Sequence, residues 1–464
     1  MSAVGTPENP LRVAVIGSGP SGFYAAEHLF KTLGAGVRVD MIERLPTPYG
    51  LVRGGVAPDH PKIKSVTKVY EKTALRPEFG FYGNVEFGKD VTLEDLKRHY
   101  HAVIFAVGAQ TDKSLGIPGE ALAGSHAATE FVAWYNGHPD YRDRTFDLSA
   151  KRAIVVGVGN VAMDVARILA RTCGELTSSD IADYALDALD ASQVQEIIVL
   201  GRRGPAQAAF TPAELKELGE MADAEVIVAP EDAAVDTLSS EWLATANDRD
   251  AEKNLALLKA YSEQPVQGKT RRIIFKFLAS PLEIKGDGRV ESVVIGRNVL
   301  VKREDGSLAA KASGVTEEIP AGLIFRSVGY RGVALPGVPF DERGGTIPNR
   351  EGRVLAAAGG QPVGALYAVG WIKRGPSGII GTNKPDSVET VERLLEDMRA
   401  GALWTPEPVL AGTIKEELKN RGTIVVDFQD WLKLDARETE NGAKIGRPRV
   451  KFSSVPEMLA VLKG

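Results

Sequence analysis

The segment Val13–Gly22, VAVIGSGPSG, restricts the chain more than any other, because a short apolar run followed by Gly17, Gly19 and Gly22 fits one local geometry well. The run Val13–Ile16 reads as a buried strand. Gly17 permits the tight turn out of it, Gly19 lets backbone approach a pyrophosphate with no Cβ in the way, and Gly22 lets the following helix lie against the strand. A helix over about 21–33 then presents free N–H groups and a positive dipole end to anionic oxygens. A second apolar run, Val37–Ile42, ends in Glu43, 21 positions after Gly22, where an acid accepts hydrogen bonds from a ribose 2′-OH.

The pattern occurs twice. Arg152–Val156 reads as a strand that runs into Gly157-Val158-Gly159-Asn160-Val161-Ala162, with a helix over Val161–Arg171, and the two first glycines lie 140 positions apart. The strand that follows, Glu196–Leu200, ends in Gly201-Arg202-Arg203-Gly204 with no acid in the position of Glu43. A carboxylate there would repel a 2′-phosphate, whereas guanidinium groups bind one through paired hydrogen bonds. The first module therefore suits an adenine nucleotide with a free ribose, such as FAD, and the second suits NADP(H). The fold class that follows is α/β, with two Rossmann-like dinucleotide-binding domains and a discontinuous FAD domain. We expect 1–112 to be the first part of the FAD domain, 113–324 the NADP domain, and 325–464 the remainder of the FAD domain with a C-terminal tail.

Other segments are read from pattern. Residues 44–65 contain four prolines and carry Arg53, Asp59 and His60, so an irregular loop beside the nucleotide site is expected. Ile63–Thr73 reads as a helix with a lysine-rich face; Val85–Val91 and Ala102–Val107 read as strands. Gly174–Gln193 reads as a helical insertion. In FTPAELKELGEM, Thr211 is an N-cap, Pro212 the first helical residue and Glu214 the third, either as a capping-box partner or, with Glu217 one turn on, as an acid facing the cofactor. Residues 225–262 read as acidic and helical, and Ile273–Phe277, Val290–Gly296 and Leu300–Val301 as an antiparallel set. Ala321–Gly329 and Ala365–Trp371 read as buried strands, with a helix over Ser387–Met398.

Composition excludes several chemistries. The chain has 464 residues, a net charge of −5 and a single cysteine, Cys173. One thiol allows no disulfide within the chain, no dithiol redox pair and no four-thiolate iron–sulfur cluster. The six histidines show no metal spacing, so no metal site is expected. The mild acidity argues against nucleic acid as a partner. No apolar run reaches the ~18 residues of a membrane span, and no secretory signal is read, so the cytoplasm is the expected location.

The motifs GSGPSG with Glu43, TPYGLVRGGVAPDHPKIKS, GVGNVAMDVARIL, GRRGP, VGYRG and VGWIKRGPSGIIGTNK together resemble ferredoxin–NADP reductases of the adrenodoxin-reductase type, nearest to their actinobacterial members, from about Leu11 to the C-terminus. The resemblance implies a monomeric FAD flavoprotein that passes electrons from NADPH to a ferredoxin. It implies FAD contacts at Ser21, Glu43, Leu51, Phe87 (through its backbone), Trp371, Gly378, Ile379 and Ile380. It implies NADP contacts at Asn160, Val161, Ala162, Met163, Arg202, Arg203 and Glu214, with Gly378 also near the nicotinamide end. His60 and Glu217 match a pair that assists hydride transfer. Lys113 stands where similar members have arginine, which keeps the charge and loses the planar fork. A flavin oxidase or monooxygenase, and a non-catalytic FAD/NADPH redox sensor, are the alternatives. For a ferredoxin docking patch the basic candidates are Lys269, Arg271, Arg272, Lys373 and Arg374.

Overall fold

The computed structural model describes residues 3–407 and 413–463. They form two compact units. The first comprises residues 1–56, 60–111 and 329–464, and the second residues 57–59 and 112–328, apart from the residues outside the described range. These divisions differ from the expected 112/113 and 324/325, and Ala57–Asp59 belongs to the second unit.

The first unit is built on a seven-stranded sheet. Its parallel part runs Pro362–Ala368, Ala102–Phe105, Leu11–Ile16, Val37–Glu43, Phe79–Gly83, and the short strands Arg353–Leu355 and Asn349–Arg350 add an antiparallel edge. Leu11, Val13, Ala14 and Val15 are fully buried, as a strand covered on both faces requires. On one face lie Phe23, Leu29, Tyr70, Phe81 and Trp431; on the other lie Ile16, Ile42, Val103, Phe105 and Val354. Leu11–Ile16 has its sequence successor Val37–Glu43 on one side and Ala102–Phe105 on the other. The strand order therefore reverses at its carboxyl end, where open α/β sheets bind ligands.

The second unit repeats this plan with a six-stranded parallel sheet ordered Ser125–Ala127, Leu323–Arg326, Arg152–Val156, Glu196–Leu200, Arg271–Lys276, Ala224–Val228. A separate antiparallel sheet of Ala279–Lys285, Ser292–Lys302 and Leu308–Pro320 covers one face through Ile284, Val293 and Ile295. The order reversal falls between Arg152–Val156 and Leu323–Arg326.

Several expected elements are displaced. Val85–Val91 is a turn, because Gly88 takes φ 89°, its N–H donates to Val91 O (2.8 Å), and the Asp90 carboxylate accepts from Glu86 N (2.8 Å). The strand is Phe79–Gly83 instead. The helix expected over 63–73 splits into Pro61–Lys64 and Thr67–Ala74, with the Ser65 hydroxyl donating back to Lys62 O. The loop 44–65 also contains a helical turn, Leu51–Gly54. Arg271–Lys276 belongs to the parallel sheet, and Ala224–Val228 is a strand inside the stretch read as helical. The expected strands Val290–Gly296 and Leu300–Val301 fall on one strand, Ser292–Lys302, which begins two residues later than expected and has a bulge at Arg297.

At the amino end of Ala102–Phe105, buried His101 completes the sheet with its side chain. Its Nδ1 accepts from Arg12 N (3.0 Å), while its own N–H donates to Arg12 O (2.9 Å). Burial, and then the Arg12 charge, push the His101 imidazole down to about 4. The unfolded chain binds the proton near pH 6.5 and the folded one near 4, so the stabilisation is present above 6.5 and is lost as pH falls through that window. Relative to His101→Asn, which offers a non-titrating acceptor, the wild type should lose stability between pH 6.5 and 4, by ~3 kcal/mol at most. Parallel thermal melts across that range check this.

Candidate dinucleotide sites

In the first unit the glycine turn is fixed by close backbone approach. Gly17 takes φ 100°, and a Cβ there would lie 2.7 Å from Ala106 O; a Cβ on Gly22 would lie 2.6 Å from Gly17 O. Gly19 is different in kind, with no heavy atom within 4 Å of a Cβ position, and the helix Pro20–Leu33 begins at it with no side-chain cap. Open backbone beside uncapped N–H groups fits a pyrophosphate.

Glu43 serves the turn as well as standing where a ribose acceptor is expected. One carboxylate oxygen accepts from Ser18 N (3.0 Å) and Ser18 Oγ (2.7 Å), and the other from Leu45 N (3.1 Å). Ser18 lies within the motif, but its cross-strand bond gives no sequence signal. Ser21 is buried, and its carbonyl accepts from Ser387 Oγ (2.9 Å). Leu51 is 47% exposed at the start of its helical turn. Phe87 meets Phe105 edge to face at 5.6 Å.

Trp371 lies beyond the strand expected to contain it. It opens a helical turn after Gly370, whose φ of 74° brings its missing Cβ to 2.5 Å from Ser21 Oγ. The indole stacks on Tyr330 at 5.4 Å and donates to Ser377 O (3.2 Å). Gly378 takes φ 81°, Ile379 is 60% exposed, and Ile380 begins the short turn before the helix Asn383–Arg399. His60 caps the turn Pro61–Lys64, and its carbonyl accepts from Lys64 N (3.3 Å).

The second unit repeats the cradle. Gly157 takes φ 129° with a Cβ position only 2.2 Å from Ser327 O, and Gly159 starts the helix Asn160–Ala170 with open space and no side-chain cap. Val161 is half-buried, while Ala162 and Met163 are fully buried in the unit's core, so any nucleotide contact by those two falls to their backbone. Asn160 Oδ1 accepts from Thr211 N (2.8 Å) and so ties the glycine turn to the helix Pro212–Gly219. Arg202 and Arg203 are exposed after their strand, and no hydrogen bond or ion pair engages their guanidinium groups among the described residues. Partial burial, then the charges of Arg202 and Arg303, hold the Arg203 guanidinium below its ordinary value. A dianion placed beside Arg203 would offset the like charges of Arg202 and Arg303 that weigh on it. Arg303, a hundred positions further on in the turn of the antiparallel sheet, carried no signal in sequence. Lys113 is exposed.

Thr211 caps its helix through Glu214 N (3.5 Å), but Glu214 does not close a capping box. Its carboxylate accepts from Arg167 (2.7 Å). Arg167 has no exposed surface and gathers four acids: Asp59 (2.8 Å), Asp164 (2.6 Å), Glu214, and Glu217 at 3.8 Å. Arg171 adds a second contact to Asp59 at 3.0 Å. Burial alone would lower Arg167; the surrounding carboxylates outweigh it and raise the guanidinium well above its ordinary value.

Most of the basic docking candidates are engaged within their own unit, while Arg272 keeps 43% of its side chain exposed. Lys269 donates to Met221 O (2.8 Å) and Ala224 O (3.1 Å), and Arg271 to Arg171 O (2.5 Å), closing the helix Asn160–Ala170. Arg272 lies 4.0 Å from Glu196 and 3.8 Å from Glu225. Lys373 is buried against Glu389 (2.6 Å) and Asp386 (3.1 Å), and Arg374 bonds Asn383 and Ser377 (2.8 Å each). Cys173 sits on a short helix, its thiol pushed up by burial rather than activated.

Two glycine cradles, two order-reversing parallel sheets and one inert thiol define a flavoprotein-type, two-dinucleotide oxidoreductase without a dithiol. Residues 11–199 match the family described as pyridine nucleotide-disulphide oxidoreductase. The NADPH-ferredoxin reductase FprA of Mycobacterium leprae is 48% identical over 464 residues, 99% of this chain and all of the relative. The mitochondrial NADPH:adrenodoxin oxidoreductase of Salvelinus fontinalis is 41% identical over 99% of this chain and 92% of its own. The solved structure of Mycobacterium tuberculosis FprA in complex with NADPH superposes with a TM-score of 0.93 at 47% identity, covering 98% of this chain and all of that one. The chain belongs to the ferredoxin–NADP reductase family of the adrenodoxin-reductase type. No described helix is long and apolar enough to cross a membrane.

Replacing Arg202 and Arg203 with glutamine should raise the KM for NADPH. Each lost charge-assisted bond is worth about 1.5–3 kcal/mol, at least tenfold per arginine. The KM for NADH should barely move. Steady-state kinetics with both nucleotides checks the pair.

Proposed function

We propose that this chain is an FAD-dependent NADPH–ferredoxin oxidoreductase, acting as a monomer in the cytoplasm. The observation that carries the reading is the contrast between its two glycine turns. An acid, Glu43, closes the first; Arg202 and Arg203 follow the second strand of the other module, and the charge of Arg303 acts on Arg203. The first unit would hold FAD through Gly17, Gly19, Ser21, Gly22 and Glu43, with Leu51, Phe87, Trp371, Gly378, Ile379 and Ile380 toward the ring. The second would hold NADP(H) through the backbone at Asn160–Met163, the arginines, Lys113 and Glu214. FAD, when bound, supplies the step from hydride chemistry to single electrons.

The protein's own part is orientation and charge. Arg167 fixes Glu214 at 2.7 Å, while Glu217, 38% exposed in its side chain, makes a longer contact of 3.8 Å to the same guanidinium. His60 and Glu217 would assist hydride transfer. The lone thiol supports direct exit of electrons to a docked one-electron carrier rather than through a disulfide relay. It also suits a reducing compartment.

Mixing with NADPH under argon should bleach a bound flavin, and ferredoxin should then accelerate cytochrome c reduction. A protein without bleaching would be a sensor, and one whose electrons go to oxygen but not to ferredoxin would be an oxidase. His60→Ala and Glu217→Gln should each slow flavin reduction by roughly tenfold or more while NADPH affinity changes much less, as expected of groups acting near the transition state. Single-turnover stopped flow over a range of NADPH concentrations separates the two effects.

A further inference from the structure

The C-terminal tail carries a basic stretch, Gly446–Lys451, that the electron-transfer reading leaves unused. Its cations are not a solvated face. Arg447 and Lys451 are buried, and Arg449 donates to Asp435 (2.5 Å) and Glu438 (3.1 Å). Glu438 lies on the helix Phe428–Ala443 with no exposed surface. Burial pushes its carboxyl up, and Arg53 and Arg449 outweigh that and hold it below its ordinary value. Arg53 approaches Glu438 with both terminal nitrogens, one at 2.8 Å, and Phe452 N adds a bond of 2.8 Å. Lys451 Nζ donates to Arg53 O (3.3 Å), and the Arg53 guanidinium lies 5.2 Å from the Trp431 ring centroid.

Arg53 ends a segment under backbone strain. Tyr49 takes φ 85°, a conformation that a bulky residue adopts only when its surroundings force it, and Gly50 follows at φ 49°. Tyr49 N donates to Ser18 O (3.0 Å), and a Cβ on Gly50 would lie 3.0 Å from Gly19 Cα. The Tyr49 ring is held by Phe23 at 5.6 Å and, edge to face, by Trp431 at 5.8 Å. The strained pair thus lies against the glycine turn, and the tail grips it at both ends: Trp431 on Tyr49, Glu438 and Lys451 on Arg53.

We propose that residues 428–452 are a brace for the dinucleotide turn of the first unit, with buried Glu438 as its positioning residue, and that this brace sets how tightly FAD is retained. The proposal rests on the assignment of FAD to that turn. Glu438 acts through Arg53, Tyr49 and Gly50 on Ser18 and Gly19 rather than by touching a cofactor.

The test uses the full-length holoprotein with Glu438→Gln, which keeps shape and removes charge, and Arg53→Lys, which keeps charge and removes the planar fork. FAD release is followed by fluorescence after dilution, with NADP+ titration and far-UV circular dichroism alongside. Release should quicken by about tenfold or more in either variant while NADP+ affinity and dichroism stay at wild-type values. Should Glu438→Gln not fold, Arg53→Lys and Trp431→Phe carry the test, the latter with a smaller acceleration. Wild-type release rates in folded variants would overturn the brace, as would acceleration that always comes with lost dichroism and weakened NADP+ binding. A wild-type protein purified without FAD would instead overturn the cofactor assignment.

Discussion

The absence of a single carbon atom at two places organises this molecule. At Gly17 and at Gly157 the chain leaves a central strand so close to the neighbouring strand's exit that a Cβ would lie 2.7 and 2.2 Å from a carbonyl oxygen. Only glycine satisfies both that distance and the positive φ. Each helix can then start directly above its strand, with its first N–H groups pointed at open space at Gly19 and Gly159. Strand order, helix placement and anion site follow from that junction in both units.

This explains which parts were legible in sequence. The junction is local: strand, glycines and helix are contiguous, so the two Rossmann-like domains and their glycine turns were legible from the pattern at 13–22 and 152–162. The acid at the end of one second strand and the arginines at the end of the other were equally local. What escaped was set at long range or by turn chemistry. Val85–Val91 has strand-like residues but is overruled by Gly88 and Asp90, and Ala224–Val228 was masked by the acidic stretch around it. Arg303 joins Arg203 only through tertiary folding. Lys269, Arg271, Lys373 and Arg374, expected to greet a partner, bond to carbonyl groups, an amide or acids of their own unit, which composition does not reveal.

Arg167 is the sharpest case of the same lesson. In sequence it is one more cation on an amphipathic helix. In the fold it is a fully buried charge whose desolvation is offset by carboxylates from three segments, Asp59, Asp164 and Glu214. Removing it would leave those acids buried and mutually repulsive, which costs far more than a surface ion pair is worth. It also explains why Ala57–Asp59, in the middle of a segment rich in proline and glycine, belongs to the second unit. Asp59 is held there by Arg167 and Arg171.

The path of the chain has a consequence for its synthesis. The first unit's sheet is interrupted between residues 111 and 329, and its strand Pro362–Ala368 pairs with Ala102–Phe105 from the far side of that gap. The second unit, apart from Ala57–Asp59, is continuous from 112 to 328. On a ribosome the later-starting unit can therefore finish folding while the earlier one still waits for its missing strand, with Ala102–Phe105 open along one edge. A nascent chain that has emerged as far as residue 328 would present a completed second unit tethered to an incomplete first one, and that exposed edge is where a chaperone would find its target.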